Sequence, residues 1–461
     1  MKVLPNECYH IIFNDLQYNY KDLFSCALVN RQWCRIIIPI LWGESEHYFQ
    51  DKILIKILLL TLNSEERALL TSFKITLQSH PKPLFEYTSY IKSVNNYLYD
   101  GIRNWLHDEK YKITCELENA VKSSLIAMLL RTSKNLKYIY LDEIICNPII
   151  SEKLYENTTI TSMRFLCNLN SNLKSKAITE IAKILYKNST LISLDLSERS
   201  WSYNNNIGSE EGKALAGALR KNTTLNSLNI SRNKLGPEGG KALADALCKN
   251  TALTSLNLRL NDLGSNVGKA LAGAIGKNNS LTSLDISFNY LGSEIGKTLA
   301  VALCKNSALT SLYLRDNDLG PEEGKALANA LCKNTTLLSL DISINNLGAE
   351  GGKALADALC KNTTLTSLDI SENNIRSKGG KAFANAICKN TMLASLNISR
   401  NNLGSEEVKE LADALCRNTT LTSLNISHNN FGSEERKALV NAFCKNNALK
   451  HLDLHSNLIL I

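Results

Sequence analysis

The residues best suited to chemistry here are 13 cysteines and 7 histidines, so their spacing decides what reactions are open. A zinc site needs ligands paired at short fixed intervals, as in CxxC or HExxH. Neither pattern occurs. His451 and His455 stand four apart, but strand geometry and a terminal position argue against a shared metal. Seven cysteines (Cys248, Cys304, Cys332, Cys360, Cys388, Cys416 and Cys444) fall in one column, with Gly276 in the missing slot. A disulfide needs Cα atoms within about 7 Å, whereas helices of adjacent repeats pack about 8 to 10 Å apart. The column is therefore expected to be reduced and half-buried, acting as small hydrophobes. Neither GxSxG nor GxxxxGK[ST] is present, so no nucleophile with its base and no phosphate cradle is expected. No cofactor is implied. The NTT triplets after each helix read as turn chemistry. The expectation is a protein that binds rather than catalyses.

The net charge of +8 would suit a nucleic-acid partner, but two columns account for it. Lys213 to Lys437 and Lys221 to Lys445 each recur every 28 residues, with Arg417 once in the second column. Without those 18 cations the net charge would be −10. The second column ends each expected helix, and acidic pairs such as Glu210/Glu211 and Glu322/Glu323 begin them, as the helix dipole favours. Solvated helix ends explain the excess, so neither nucleic acid nor membrane is the expected partner. The greasiest run, ILIKILLLTL at 53–62, is broken by Lys56 and falls short of the roughly 20 apolar residues a span needs. No signal-peptide pattern opens the chain, and a cytoplasmic or nuclear location is expected. The oligomeric state stays open.

What positions the side chains is an internal repeat. Leu225, Leu253, Leu281 and six later leucines, ending at Leu449, stand 28 residues apart. In the unit LTSLDISENNIRSKGGKAFANAICKNTM, Leu365, Leu368 and Ile370 mark a short strand, and Ala382, Phe383, Ala386 and Ile387 mark an amphipathic helix. Each unit is strand, turn and helix, and none buries its apolar side alone, so neighbours must stack. Asn233 and its successors, through Asn457, recur at the strand exit. An asparagine both donates and accepts, so a buried ladder of them satisfies the backbone of a tight turn. A glycine column (Gly208, Gly236, Gly264, Gly292, Gly320, Gly348, Gly404, Gly432) is expected to need positive φ, and Arg376, which interrupts it, marks expected strain.

This pattern resembles the leucine-rich repeat of the long, ribonuclease-inhibitor type. The resemblance implies an α/β solenoid with parallel strands on a concave face and helices on the convex one. It spans roughly 131–461, irregular over 131–224 and regular over 225–461, with a six-residue insertion in SERSWSYNNN. The last unit stops after its strand at NLILI, so a folded-back cap and a free edge both remain open. Strand positions facing the concave side are nearly constant: serine, then Asn or Asp two residues on. The residue before the ladder asparagine varies: Arg232, Leu260, Phe288, Asp316, Ile344, Glu372, Arg400, His428. With Arg259, Tyr313 and Arg315, this column is the expected target-binding surface, including exposed apolar Leu260, Phe288 and Ile344.

Residues 4–42 have no place in the repeat and read as three short helices, with Ile12/Leu16, Leu23/Ala27 and Trp33/Ile37 at i, i+4 spacing. About forty residues seldom bury enough surface to stand alone. The stretch resembles an F-box: Leu4, Pro5, Glu7, Ile12, Leu16, Asp22, Leu23, Cys26, Val29, Asn30, Trp33, Pro39 and Trp42 match its Leu-Pro-x-Glu opening, its Leu-x-x-Cys-x-x-Val-x-x-x-Trp middle and its Pro-x-x-Trp close. The resemblance implies a 1–44 module that docks a Skp-type adaptor, and through it a cullin-RING scaffold, by Leu4, Pro5, Ile12, Leu16, Leu23, Val29 and Trp33. Residues 45–130 read as mostly helical, with Asn63 and Glu66 spaced as a capping box and a bend at Pro81 and Pro83. The expected function is the substrate receptor of an SCF-type ubiquitin ligase. The alternative is a scaffold, inhibitor or sensor outside degradation, of the ribonuclease-inhibitor, NLR-like or Ran-GTPase-activator kind.

Overall fold

The computed structural model describes residues 5–16, 19–43, 45–75, 77, 86–166, 171–198, 207–293 and 295–455. Leu4, the Pro81/Pro83 bend, most of the SERSWSYNNN insertion, Asn457 and the NLILI tail lie outside them. The chain divides into two compact bodies, Met1–Leu196 and Ser197–Ile461.

The first body opens with α1 (Asn6–Asp15), α2 (Tyr20–Ala27) and α3 (Arg31–Gly43). Local signals set their limits. The Asn19 side chain accepts from the Asp22 amide at the start of α2, and Asn30 Oδ1 accepts from the Trp33 amide at 2.8 Å at the start of α3. Then come α4 (Lys52–Leu60) and α5 (Ser64–Thr71), the latter begun by a complete capping box. There the Glu66 amide donates to Asn63 Oδ1 at 2.9 Å and the Asn63 amide to Glu66 Oε2 at 2.8 Å. The buried Glu66 carboxylate is also held by Arg131 Nε at 2.7 Å.

Strand β1 (Ser93–Val94) precedes α6 (Tyr97–Asp108) and α7 (Cys115–Thr132), so parallel pairing starts inside the stretch that the sequence marks only as mostly helical. Two residues are too short for an alternation to be visible. After these, β2 (Tyr138–Leu141), α8 (Pro148–Tyr155), β3 (Ser162–Phe165), α9 (Ser171–Lys187) and β4 (Ser193–Asp195) complete the body, β2 pairing in parallel with both β1 and β3 and β3 with β4.

The second body is the regular array. Nine three-residue strands, from Ser227–Asn229 to His451–Asp453, pair in parallel with residues 28 apart opposed, as in Ser283↔Ser311 and Leu284↔Leu312. The central residue of each strand is apolar; Leu284 and Leu312 are fully buried, as are Leu271 and Leu299 on the helices behind them. The asparagine ladder forms as expected. Asn289 Nδ2 donates to the carbonyls of Leu258 (2.9 Å), Ile286 (3.0 Å) and Ser287 (3.1 Å), and its Oδ1 accepts from the Asn261 amide (2.9 Å). A second buried ladder runs along the helix exits through the asparagine that opens each NTT triplet or stands at its place in units without one. Asn278 Nδ2 donates to the carbonyls of Leu247 (2.8 Å) and Asn250 (2.9 Å), while its Oδ1 accepts from the Leu281 amide (2.8 Å). The turn chemistry expected of these residues is thus also what bonds one unit to the next.

The glycine column divides in two. Gly236, Gly264, Gly292 and Gly348 have φ between 59° and 74°, and Arg376 has φ 51°, as expected. Gly208, Gly320, Gly404 and Gly432 do not: their φ values lie between −99° and −92°. The residue three positions on decides which form is taken. Where it is glutamate, the column amide donates to its carboxylate: Gly208 to Glu211 at 3.1 Å, Gly320 to Glu323 at 3.0 Å, Gly404 to Glu407 at 2.8 Å and Gly432 to Glu435 at 3.0 Å. Where it is Gly, Val or Ile, no such acceptor exists, and the backbone turns left-handed to reach the next unit's asparagine carbonyl. Gly264 to Asn289, Gly348 to Asn373 and Arg376 to Asn401 are each 3.0 Å. One amide has two ways to be satisfied.

The cysteine column also departs from expectation. Only Cys360 is half-buried; Cys248, Cys304, Cys332, Cys388, Cys416 and Cys444 are exposed. Cys248, Cys332 and Cys416 are the C-cap residues of their helices, past the last turn that faces the core. Every described cysteine is free.

Candidate functional site

Three arrangements could do work: the outer surface of α1–α3, the strand-exit column of the second body, and a charged cavity in the first body. In the first, the core is Phe13, Leu23, Ala27, Ile36 and Ile37, with Tyr9, Leu16 and Trp33 packed around it. Trp33 meets Phe13 edge-on at 5.1 Å and Tyr9 at 5.7 Å. The tryptophan that the repeat has no use for is therefore a brace within its own three helices. Trp42 stacks on Tyr87 at 4.9 Å.

One expected contact, Leu23, and one expected helix-face pairing, Ile12 with Leu16, need correction. Leu23 is 0% exposed and belongs to this core, so it is not a direct contact for a partner. Ile12 does not face inward with Leu16: it is 46% exposed, and Phe13 takes the core position instead. Three apolar residues in a row, Ile11-Ile12-Phe13, fix no rotation by themselves, and the largest ring fills the space under Trp33. Pro5 is exposed and Leu16 half-buried. Val29 is 60% exposed, and so are Ile11 (64%), Phe24 (57%) and Leu28 (72%), which the i, i+4 reading passed over. The missed signal is the apolar surplus: α2 carries Phe24 beside Leu23, and one helix face cannot take both. Together these residues leave several large apolar side chains uncovered on a small module.

In the second body, all eight residues of the variable column have positive φ, from 49° at Ile344 to 60° at Arg232. The cause is the turn. The preceding Asn or Asp accepts, through Oδ1, the amide two residues on: Asn257 from Arg259 at 2.9 Å, Asp285 from Ser287 at 3.0 Å, Asp341 from Ser343 at 2.9 Å. The left-handed residue then donates to the next unit, as Phe288 does to the Arg315 carbonyl at 2.8 Å. Such a backbone costs a side-chain-bearing residue about 1–2 kcal/mol, and a β-branched residue such as Ile344 is an outlier there. Asn or Gly would sit there with less strain, so the column is not explained by its backbone.

Leu260, Phe288 and Ile344 are half-buried rather than exposed. Phe288 lies between two arginines, with Arg259 Cζ 4.2 Å and Arg315 Cζ 5.9 Å from its ring centre. Arg315 also donates to Ser343 Oγ at 3.1 Å and stands 3.9 Å from Glu372. Arg232, Asp316 and Glu372 are half-buried, and Arg400 and His428 exposed. Tyr313 occupies the place of the turn-forming Asn or Asp, opposite Asp285 and Asp341 in the strand register. Burial pushes the Asp341 carboxyl up, with Asp369 adding to it against the Ser343 hydrogen bonds.

The third arrangement, a cavity of about 270 Å³, is lined by α6, α7 and the end of β2. Lys122 is buried there, with Nζ 2.8 Å from both Glu118 and Asp142 and 4.4 Å above the Tyr99 ring. Burial lowers the Lys122 pKa, but Asp142 and Glu118 more than offset it and hold the ammonium charged. Arg103 adds a second cation at 2.9 Å from Glu118. This is an ion-pair network pinning α7 to the strand end. The i, i+4 spacing of Glu118 and Lys122 signals one pair of it, and nothing in the sequence signals the approach of Asp142 or Arg103. Among the described residues no His, Cys, Asp and Glu cluster could hold a metal, and no helix is long and apolar enough to cross a membrane.

Comparison with known families agrees with this division of labour. The F-box-like family matches residues 1–44, and the leucine-rich repeat family matches eight successive segments from 221–244 to 417–440. No curated protein matches the chain. Among solved structures, actin-binding site 2 of leiomodin-1 is similar at 26% identity over 27% of this chain and 72% of that one, with a TM-score of 0.24. A chain of the yeast Rad7 and Elc1 complex is similar at 14% identity over 94% and 96%, with a TM-score of 0.49. An internalin from Listeria monocytogenes is similar at 17% identity over 66% and 83%, with a TM-score of 0.38. These likenesses are too distant to speak for function.

Proposed function

Because this chain is an F-box-like protein with leucine-rich repeats, we propose that it is the substrate-recognition subunit of an SCF-type ubiquitin ligase. In this reading α1–α3 dock a Skp-type adaptor, the adaptor links to a cullin-RING scaffold, and the strand-side face holds the target. Ubiquitin transfer then needs nothing from this chain but proximity between a target lysine and a thioester carried elsewhere.

The observation that carries the reading is the set of uncovered apolar side chains. Ile11, Ile12, Phe24, Leu28 and Val29 are all exposed within a module of some forty residues, and a module that small gains by covering them with a second chain. The proposed adaptor surface is this set with Pro5, Leu16 and the outer edge of Trp33. Target contacts are assigned to Arg232, Leu260, Phe288, Asp316, Ile344, Glu372, Arg400 and His428, whose side chains stand on a left-handed backbone, and to their neighbours Arg259, Tyr313 and Arg315. Families of this kind act as adaptors and binding proteins, and no catalytic step is assigned to the chain.

The test is recovery of a Skp-type adaptor with the tagged full chain, compared between wild type and a Phe24→Glu, Leu28→Glu variant. Both side chains are exposed, so the variant should keep the wild-type circular dichroism and melting curve while losing the adaptor. If the wild type recovers no adaptor, or the variant recovers as much, the chain is a binding scaffold outside degradation.

A further inference from the structure

Of the two arginines on the Phe288 ring, Arg315 stands 3.9 Å from Glu372, with Asp316 next to it in the chain, while Arg259 has only the ring among the described residues. Arg259 makes no ion pair among the described residues, although its guanidinium is half-buried against the Phe288 ring. Burial lowers its pKa, and the charges of Arg232 and Arg315 press the same way, against the pull of Asp285 and Asp341. Both acids also hold turn hydrogen bonds. Asp285 Oδ1 is taken by the Ser287 amide at 3.0 Å, and Asp341 Oδ1 by both the amide (2.9 Å) and the hydroxyl (2.6 Å) of Ser343.

Two local rules are also broken at this place. Phe288 is a bulky aromatic held at φ 59°. Tyr313 replaces the Asn or Asp that forms the turn in its sibling units, so the Arg315 amide lacks the side-chain acceptor that Ser287 and Ser343 enjoy. Rules broken without structural gain mark positions kept for their side chains. A guanidinium stacked on a ring has its planar fork fixed, which suits two-point contact with a carboxylate or phosphoryl group.

On the reading that the strand-side face binds the target, we propose that the Arg259–Phe288–Arg315 stack captures an anionic group, a carboxylate or a phosphoryl group, on an acidic segment of the target protein. The stacked fork selects for charge and for two oxygens presented together. Charge alone would be served equally by the lysines of the helices, which are solvated and in part already paired, as Lys325 is with Glu322 at 2.7 Å.

The test is a peptide array scanned with Glu, Asp, phosphoserine, Lys and Ser at each position, probed with the full chain. Wild type should select Glu, Asp or phosphoserine, and the stronger of these names the source of the group. Arg259→Gln should weaken that selection about tenfold or more, as loss of a charge-assisted pair does. Arg259→Lys should weaken it severalfold, because the charge remains and the fork is lost. A Lys241→Gln, Lys269→Gln variant should bind as wild type does. Selection for Lys or for no charge, equal binding by the Arg259 variants, or equal loss in the lysine variant would each overturn the proposal. Adaptor recovery by the Arg259→Gln variant, read in parallel, separates this failure from that of the ligase reading, since α1–α3 are untouched.

Discussion

Alanine at Gly264 and alanine at Gly432 should have unequal consequences, although the sequence puts both glycines in one column. Gly264 has φ 74° and ψ 170°, a conformation essentially confined to glycine, and its amide donates to the Asn289 carbonyl at 3.0 Å. A Cβ there would meet nothing closer than Pro237 Cγ at 3.9 Å, so the penalty is conformational rather than steric. Forcing alanine into it costs about 1–3 kcal/mol. The lower entropy of the unfolded chain returns about 0.4–1 kcal/mol, leaving a net loss of about 1–2 kcal/mol. Gly432 has φ −92°, which alanine adopts freely, and its added Cβ would lie 3.3 Å from Glu435 Oε2, at the end of a flexible side chain. Its net effect should fall within about 0.5 kcal/mol of zero. Urea unfolding of each full-length variant, followed by circular dichroism, reads the difference as a midpoint shift at constant slope. Because units of a solenoid couple mainly to their neighbours, hydrogen exchange in Ser265–Ile275 and Ser433–Lys445 supplies a local reading. Equal destabilisation by the two substitutions, or a larger loss at Gly432, would refute the rule that the residue three positions on chooses the acceptor.

Other perturbations separate the remaining interactions. Asn289→Ala removes the acceptor of the Asn261 amide and a donor shared by three carbonyls in a fully buried site; at about 1–3 kcal/mol per orphaned group, a loss of about 3 kcal/mol or more is expected in the urea midpoint. Lys122→Met leaves Glu118 and Asp142 facing each other without their shared cation and should cost about 3–5 kcal/mol, measurable as a drop in melting temperature. Asp341→Asn keeps the turn, since Asn397 makes the same one with Ser399 at 3.1 Å, and removes a carboxyl that burial makes harder to ionise. The folded pKa of Asp341 is raised, so its ionisation opposes folding as pH rises through and above the ordinary carboxylate value. The variant should match or exceed wild-type stability at pH 7 and lose that part of the pH dependence in parallel melts.

Much of this protein is legible in its sequence because a repeat states the same requirement many times. The 28-residue period, the apolar faces of Leu368 and Phe383, and the asparagine column at 233 to 429 all follow from pattern and hydrogen-bonding capacity. So do the three front helices. The second ladder through Asn278 was hidden because an asparagine after a helix also suits an ordinary turn, and its interunit role appears only when the Leu247 carbonyl arrives from the unit before. The Lys122 network was hidden for the same reason: Glu118, Lys122 and Asp142 lie on a helix and a strand end whose approach no local signal encodes.

What the sequence determined by itself is which elements form and which sides must be covered, since periodicity and capping act within a few residues of each other. Tertiary structure decided the rest. Stacking chose Phe13 over Ile12 for the core under Trp33, left Phe24 and Leu28 uncovered, and gave each column amide either a glutamate of its own helix or a carbonyl of the next unit. It also brought Arg259, Phe288 and Arg315, taken from three different units, onto one ring. The physical reason is that a repeat fixes the kind of neighbour each side chain meets, while the rotation of a helix and the identity of a partner about 28 residues away exist only once the units are packed.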